Sequence, residues 1–216
     1  MNMVNINKFF LFLFICLVGC GKKQKTELAN NYYELSSLEL KDDNDAYYKR
    51  ALLYVEKAIE QDERPEFVAR KATLLFKLGR QEESLLCFEL LLRRKMDPYI
   101  KAEILNNYAC VLGQSGKLAK ALEMFTTLEK SKNYLTPEVA LVNQSKIYSE
   151  MGKDDLAQKK LLRATQLANN YVDAHYYLAV VSSSLDDQKR MQEELQTTLF
   201  LEPEHEGAKS MWNRLL

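Results

Sequence analysis

Residues 105–128 read LNNYACVLGQSGKLAKALEMFTTL and contain two helical patterns separated by a glycine. Before the glycine, apolar residues at i, i+3, i+4 and i+7 form one stripe: Leu105, Tyr108, Ala109 and Leu112. After it, a second stripe follows: Ala121, Phe125 and Leu128. Gly116 lies between them, and glycine readily adopts the left-handed conformation that ends a helix. The stretch therefore predicts a helix, a tight turn and a second helix that packs back on the first.

The same arrangement recurs along the chain. Gly79, Gly116 and Gly152 follow one another at intervals of 37 and 36 residues, and Asp186 occupies the equivalent place in a fourth copy. Five residues after the glycines come the small residues Ser84, Ala121 and Ala157, which let two helices approach closely, and Met191 occupies this position in the fourth copy. Prolines, which begin helices more readily than they continue them, fall between the copies: Pro65, Pro98, Pro137 and Pro203.

These copies resemble the tetratricopeptide repeat, a helix–turn–helix unit of 34 residues. The copy around Gly116 fits its pattern best, whereas the next copy departs from it at Gln144 and Ser145. The resemblance covers about residues 30–216 and implies an all-α fold, a right-handed superhelix (α-solenoid) of antiparallel helix pairs. It implies about four to five repeats, the first with a degenerate helix near Tyr32 to Leu40. A closing helix follows Pro203, with three residues that cover the open end: Met211, Trp212 and Leu215.

Composition and motifs give little support to catalysis. The chain has 216 residues with 30 basic and 30 acidic side chains, so it lacks the positive charge typical of nucleic-acid binding. No Ser-His-Asp set, phosphate loop or HExxH motif is present, so we predict no enzyme activity, no catalytic residue, no cofactor, no metal site and no small-molecule substrate. His175 stands at a packing position of the repeat, and His205 in a loop. The cluster Asp42-Asp43-Asn44-Asp45 lacks the glycine and glutamate of a calcium loop, and Asp45 is the expected N-cap of a helix.

Cysteine usage leaves two interpretations open. Cys87 and Cys110 lie within helical patterns and have no CxxC or histidine neighbours, so packing as small hydrophobic residues is the favoured interpretation. In an oxidising compartment a disulfide between them is the alternative.

The N-terminal segment FFLFLFICLVGC, residues 9–20, is apolar but shorter than the roughly 20 residues that span a bilayer. Leu17-Val18-Gly19-Cys20 resembles the lipobox of bacterial lipoproteins. This resemblance implies a signal peptide over residues 1–19, a lipidated tether over residues 20–28 that begins at Cys20, and a repeat domain over residues 29–216. Gly21 rather than aspartate after the cysteine implies sorting to the outer membrane. The alternative is that Cys20 is an incidental small residue beside a cleavage site.

A stack of helix pairs has a concave face, lined by the first helix of each pair, that binds extended segments of partner proteins. Projecting that face onto the sequence predicts these partner-binding residues: Thr73, Lys77, Asn106, Gln114, Lys146, Ser149, Tyr176 and Val180. The same projection places four further residues on the inward, non-core positions: Glu66, Cys110, Val142 and Ser183. Their mixture of amides, hydroxyls and apolar groups suits a peptide. An ordinary solvated surface is the alternative.

The lipobox and the repeats together resemble the type IV pilus biogenesis and stability lipoproteins, which pilot a secretin to the outer membrane. The segment Asn106-Asn107-Tyr108-Ala109 is similar to that family's Asn-Asn-Tyr-Gly segment. The resemblance implies a lipid-anchored, periplasm-facing scaffold of the bacterial cell envelope that binds a protein partner. Outer-membrane protein assembly, recruitment of peptidoglycan hydrolases, and a ligand-binding or enzymatic helical-repeat protein are the alternatives.

Overall fold

The computed structural model describes the backbone of residues 3–39 and 44–215, and the side chains of residues 21–39 and 44–215. All regular secondary structure in this part of the chain is helical, so the all-α prediction is confirmed. The helices divide between two compact units, Met1–Met96 and Asp97–Leu216.

The first unit contains two antiparallel helix pairs. Its helices are α1 (Met3–Leu38), α2 (Asp45–Gln61), α3 (Pro65–Lys77) and α4 (Gln81–Leu92). Helix α1 packs on α2, α2 on α3, and α3 on α4. Ala51, Val55 and Leu74 form part of the core between α2 and α3. The C-terminal part of α1 is thus the first helix of the pair that the sequence marks as degenerate.

The second unit contains three helix pairs and a closing helix. Its helices are α5 (Pro98–Gln114), α6 (Leu118–Lys130), α7 (Pro137–Glu150), α8 (Asp154–Leu167), α9 (Val172–Ser184), α10 (Gln188–Leu201) and α11 (Glu206–Asn213). Leu141, Leu161 and Leu178, one from each of α7, α8 and α9, are fully buried in one cluster. Three of the four prolines are the first residues of helices, as their fixed φ favours.

The turns within the pairs have the predicted left-handed residue. The φ angles are +75° at Gly79, +74° at Gly116, +69° at Gly152 and +57° at Asp186. Around Gly116 the backbone forms two closing hydrogen bonds, Lys117 N–H to Leu112 O and Gly116 N–H to Gly113 O, both 2.9 Å. The same pair of bonds follows each of the other three turns. Asp186 adopts the conformation because aspartate is one of the few other residues that tolerate it.

Replacing Gly116 with valine is expected to lower the free energy of unfolding by about 1–3 kcal/mol, because a β-branched residue is strained at positive φ. An added Cβ meets no atom within 4 Å, so the effect reports backbone strain rather than a clash. Urea unfolding followed by circular dichroism measures it. The control Gly116→Asn should cost less, because asparagine tolerates the left-handed region. Equal stability of the valine variant and the wild type would contradict the prediction.

Two predictions near the helix ends need correction. The N-cap of α2 is Asn44, whose side chain accepts a hydrogen bond of 2.8 Å from Ala46 N–H, and Asp45 is the first helical residue. Asp42 and Asp43 lie outside the described residues. In the closing helix Met211 and Trp212 pack on the core as predicted, but Leu215 is 40% exposed because α11 ends at Asn213, before that position can return to the core.

Helix α1 is continuous through the predicted tether, residues 20–28. The three lysines, the glutamine and the glutamate there are good helix formers, which favours a helix although these side chains are mostly exposed. The described side chains from Gly21 to Leu28 are exposed or half-buried, and the first buried one is Ala29. In the part of the chain that the structure describes, no helix combines the length and apolar character needed to cross a membrane.

The structure explains why the sequence departs from the tetratricopeptide-repeat pattern at Gln144. This side chain is fully buried in α7, and its amide donates to Phe125 O at 3.3 Å and to Glu129 Oε2 at 2.9 Å. Lys160 and Arg163 of α8 hold the same carboxylate at 2.8 and 2.7 Å. Burial alone would raise the pKa of Glu129, but the hydrogen bonds from Lys160 and Gln144 leave that pKa below its usual value. One buried carboxylate thus joins α6, α7 and α8.

Candidate functional site

The second unit has a hollow between the parallel first helices of its first two pairs. It has a volume of about 160 Å³. Helices α5, α6 and α7 supply its lining: Ala109, Cys110, Gly113, Gln114, Phe125, Asn143, Lys146, Ile147 and Glu150. The floor is apolar, and polar groups stand at the rim. Two predicted partner-binding residues, Gln114 and Lys146, therefore line one site together with Cys110.

A pair of asparagines lies at this site. Asn143 Nδ2 is 3.5 Å from Asn106 Oδ1 and 3.6 Å from Cys110 Sγ, so the predicted Asn106 also belongs here. Both contacts are long, and both amides keep donor or acceptor capacity for another molecule. The sequence projection chose Val142 instead of Asn143, and this is wrong. Val142 is 1% exposed because it packs in the core cluster with Leu178.

Lys146 supplies a positive charge beside the hollow. Its Nζ lies 4.1 Å from the centre of the Tyr177 ring of α9, a cation–π contact between neighbouring first helices. The Lys146 side chain is exposed and lines the hollow. Its charge is thus available to a partner.

The fold that carries this hollow occurs in several solved structures. YrrB, a TPR protein with an unusual peptide-binding site, has a TM-score of 0.55 at 18% identity over 84% of this chain and 90% of its own. TTC0263, a thermophilic TPR protein of Thermus thermophilus, has a TM-score of 0.66 at 18% identity over 90% of this chain and 100% of its own. The tetratricopeptide-repeat fold is therefore the fold of this chain.

A third solved structure with this TPR fold is PilW, a widely conserved type IV pilus biogenesis factor. Its TM-score is 0.65 at 21% identity, over 83% of this chain and 77% of its own. No protein-family model and no curated protein matches the sequence. At these identities the likeness shows the fold alone.

The remaining predicted groove residues do not join the hollow. Thr73 and Lys77 belong to the first unit, where the Thr73 hydroxyl donates to Ala69 O at 3.1 Å and Lys77 Nζ lies 5.8 Å from the Tyr48 ring. Ser149 and Val180 are half-buried on the TPR first helices α7 and α9. Tyr176 packs against the closing helix, with its ring 4.5 Å from that of His205. The tyrosine fits there because residue 207 is glycine. A Cβ atom at that position would lie 2.5 Å from the Tyr176 hydroxyl.

Both cysteines are free thiols with packing contacts. Cys87 Sγ lies 3.8 Å from Val68 O, and Cys110 Sγ faces Asn143. Burial raises the pKa of both thiols, and the positive charges near them lower it by less. A thiol with a raised pKa is protonated at neutral pH, so neither has the character of a nucleophile.

The two histidines have structural contacts. His175 is 8% exposed, as its packing position predicts, with Nδ1 at 2.6 Å from Glu194 Oε2 and Nε2 at 3.0 Å from Asn169 O. The hydrogen bond to Glu194 raises the pKa of this imidazole against the opposing effect of burial. His205 caps α11 and accepts from Ala208 N–H at 3.1 Å. Among the described residues no three His, Cys, Asp or Glu side chains are grouped to hold a metal ion.

Proposed function

We propose that this protein is a lipid-anchored scaffold that faces the periplasm at the outer membrane and binds a segment of a protein partner. The observation that carries the binding role is the hollow between α5 and α7, where Asn143, Lys146 and an apolar floor meet on one open surface. Such a combination recognises a peptide through its backbone, a side chain and a charge. Binding at this surface requires no chemical step, so the proposed function is not enzymatic.

The anchor part of the proposal rests on the sequence Leu17-Val18-Gly19-Cys20 and on the geometry that follows it. With burial beginning at Ala29, eight residues, 21–28, separate Cys20 from the packed repeats. In a helix, Cys20 and Ala29 are about 13 Å apart along the axis. Helix α1 would then hold the repeats close to the lipid surface.

Substitution of Cys20 with serine is expected to release the protein from membranes, or to leave it as an unprocessed precursor, because serine offers no thiol for lipid attachment. Fractionation of envelopes, with the mass of the chain measured in each fraction, tests this result. Cys16→Ser is the matched control, since Cys16 lies in the segment predicted to be removed and its loss should change nothing. A Cys20→Ser protein that still appears as a processed, membrane-bound species would contradict the lipid anchor.

The candidate assembly is the type IV pilus secretin, supported by the Asn106–Ala109 segment and by the fold shared with PilW. Affinity capture of the full-length chain from detergent-solubilised envelopes identifies the complex. Recovery of a secretin ring would support this assignment. Recovery of a barrel-assembly protein or a peptidoglycan hydrolase instead would contradict the secretin as partner but would still support the scaffold function. Capture of no envelope protein at all would contradict the scaffold function.

A further inference from the structure

We propose that the hollow between α5 and α7 binds one apolar side chain of leucine or methionine size from an extended partner segment, and that an acidic residue two positions away pairs with Lys146. This inference rests on the proposed scaffold function and deepens it. It assigns the recognised chemistry to specific residues of the second unit.

The size and floor of the hollow specify the apolar side chain. Its volume of about 160 Å³ is close to that of a protein cavity, about 150 Å³, that holds benzene. Ala109, Gly113, Phe125 and Ile147 supply hydrocarbon surface. A side chain of four heavy atoms, such as leucine, therefore fits with room for its backbone at the rim.

The asparagine pair suits the backbone of an extended segment. A peptide unit offers one N–H donor and one C=O acceptor, and a carboxamide offers the complementary groups. Asn106 and Asn143 are each half-buried, and their mutual contact of 3.5 Å is at the weak end of the hydrogen-bond range. A peptide that breaks this contact and forms shorter hydrogen bonds to both amides therefore pays little free energy for the broken one.

The positive charge of Lys146 favours an acidic residue near the apolar residue of the partner segment. The Lys146 ammonium contacts the Tyr177 ring at 4.1 Å and is exposed at the edge of the hollow. Glu150 lines the same hollow one helical turn away, so a second acidic residue on that side would be repelled. In an extended chain, side chains two residues apart lie on one face, about 7 Å from each other. The recognised pattern is thus one apolar residue with one acidic residue two positions from it.

Fluorescence anisotropy with the full-length chain in lipid nanodiscs tests the pattern. The probe is a labelled heptapeptide, Ser-Gly-Asp-Ser-Leu-Gly-Ser, together with the version that places aspartate after leucine. We expect one of the two to bind, with a loss of about tenfold when leucine becomes serine. We expect a loss of up to about fivefold when aspartate becomes lysine.

Variants of the protein separate charge recognition from folding. Lys146→Glu should reverse the preference, so that the peptide with lysine binds more tightly than the one with aspartate. Lys159→Glu makes the same change of charge on the exposed surface of α8 and should leave the preference intact. The inference would be overturned if neither peptide substitution changes the affinity, or if the Lys146→Glu variant still prefers the peptide with aspartate. The scaffold function would survive that result if envelope capture still recovers a partner, and would fail with it if capture recovers none.

Discussion

Truncation of Phe125 to alanine is expected to lower the free energy of unfolding by about 3–5 kcal/mol, the range observed when a buried aromatic ring is removed. Phe125 is 1% exposed in α6 and lies under the hollow, between the helices that form it. Its loss removes apolar contacts and leaves a cavity that α5 and α7 can fill only by moving. The same substitution should therefore also weaken any binding at the hollow.

Urea unfolding followed by the fluorescence of Trp212 measures this loss. Trp212 is the only tryptophan in the chain, and it packs on the core of the second unit, so its signal reports on the unit that carries Phe125. Phe200→Ala is the matched control, because Phe200 is 84% exposed and its removal should change stability by no more than about 0.5 kcal/mol. If Phe125→Ala unfolds at the same urea concentration as the control, the packing described for α6 is wrong.

Substitution of Glu129 with alanine should lower the free energy of unfolding by about 2–3 kcal/mol, because it removes charged hydrogen bonds and takes one acceptor from the fully buried Gln144 amide. The side chain is 3% exposed and accepts from Gln144, Lys160 and Arg163. Glu193→Ala is the control: that carboxylate is 62% exposed, 3.9 Å from Lys189, and should contribute little.

The effect of Glu129 should also depend on pH. Since the folded protein lowers the pKa of this carboxyl, its stabilisation is present above the unfolded pKa of about 4.3 and is lost as the pH falls through the folded value. The difference in stability between the wild type and Glu129→Gln, measured by urea unfolding, should therefore shrink in acid. A difference that stays constant from pH 7 to pH 3 would contradict the ionised state of Glu129.

The candidate site was only partly accessible to sequence reasoning. The repeat register placed Asn106, Cys110, Gln114 and Lys146 on the first helices of the pairs, and the structure brings these residues together at the hollow. Their role in partner binding stays a prediction. The register missed Asn143 by one position, since helix α7 turns Val142 into the core with Leu178. Asn143 follows Asn106 by 37 residues, one more than the interval between Gly116 and Gly152, so the glycine register pointed to Val142 and only the recurrence of an asparagine indicated Asn143. Tyr176 was chosen correctly as a first-helix residue, but nothing local indicated that α11 would pack against it.

The helix pairs and their turns could be predicted from local sequence. They depend on interactions between residues close in the chain: apolar spacing along one helix, proline at a first helical position, and glycine or Asp186 at positive φ. The roles of Gln144 beside a buried carboxylate, and of Asn143 and Lys146 beside a hollow, became visible only in the packed molecule. Those features depend on the rotation of α7 about its axis. That rotation is set by the packing of α5, α6, α8 and α9 around it, and no short stretch of sequence contains those contacts.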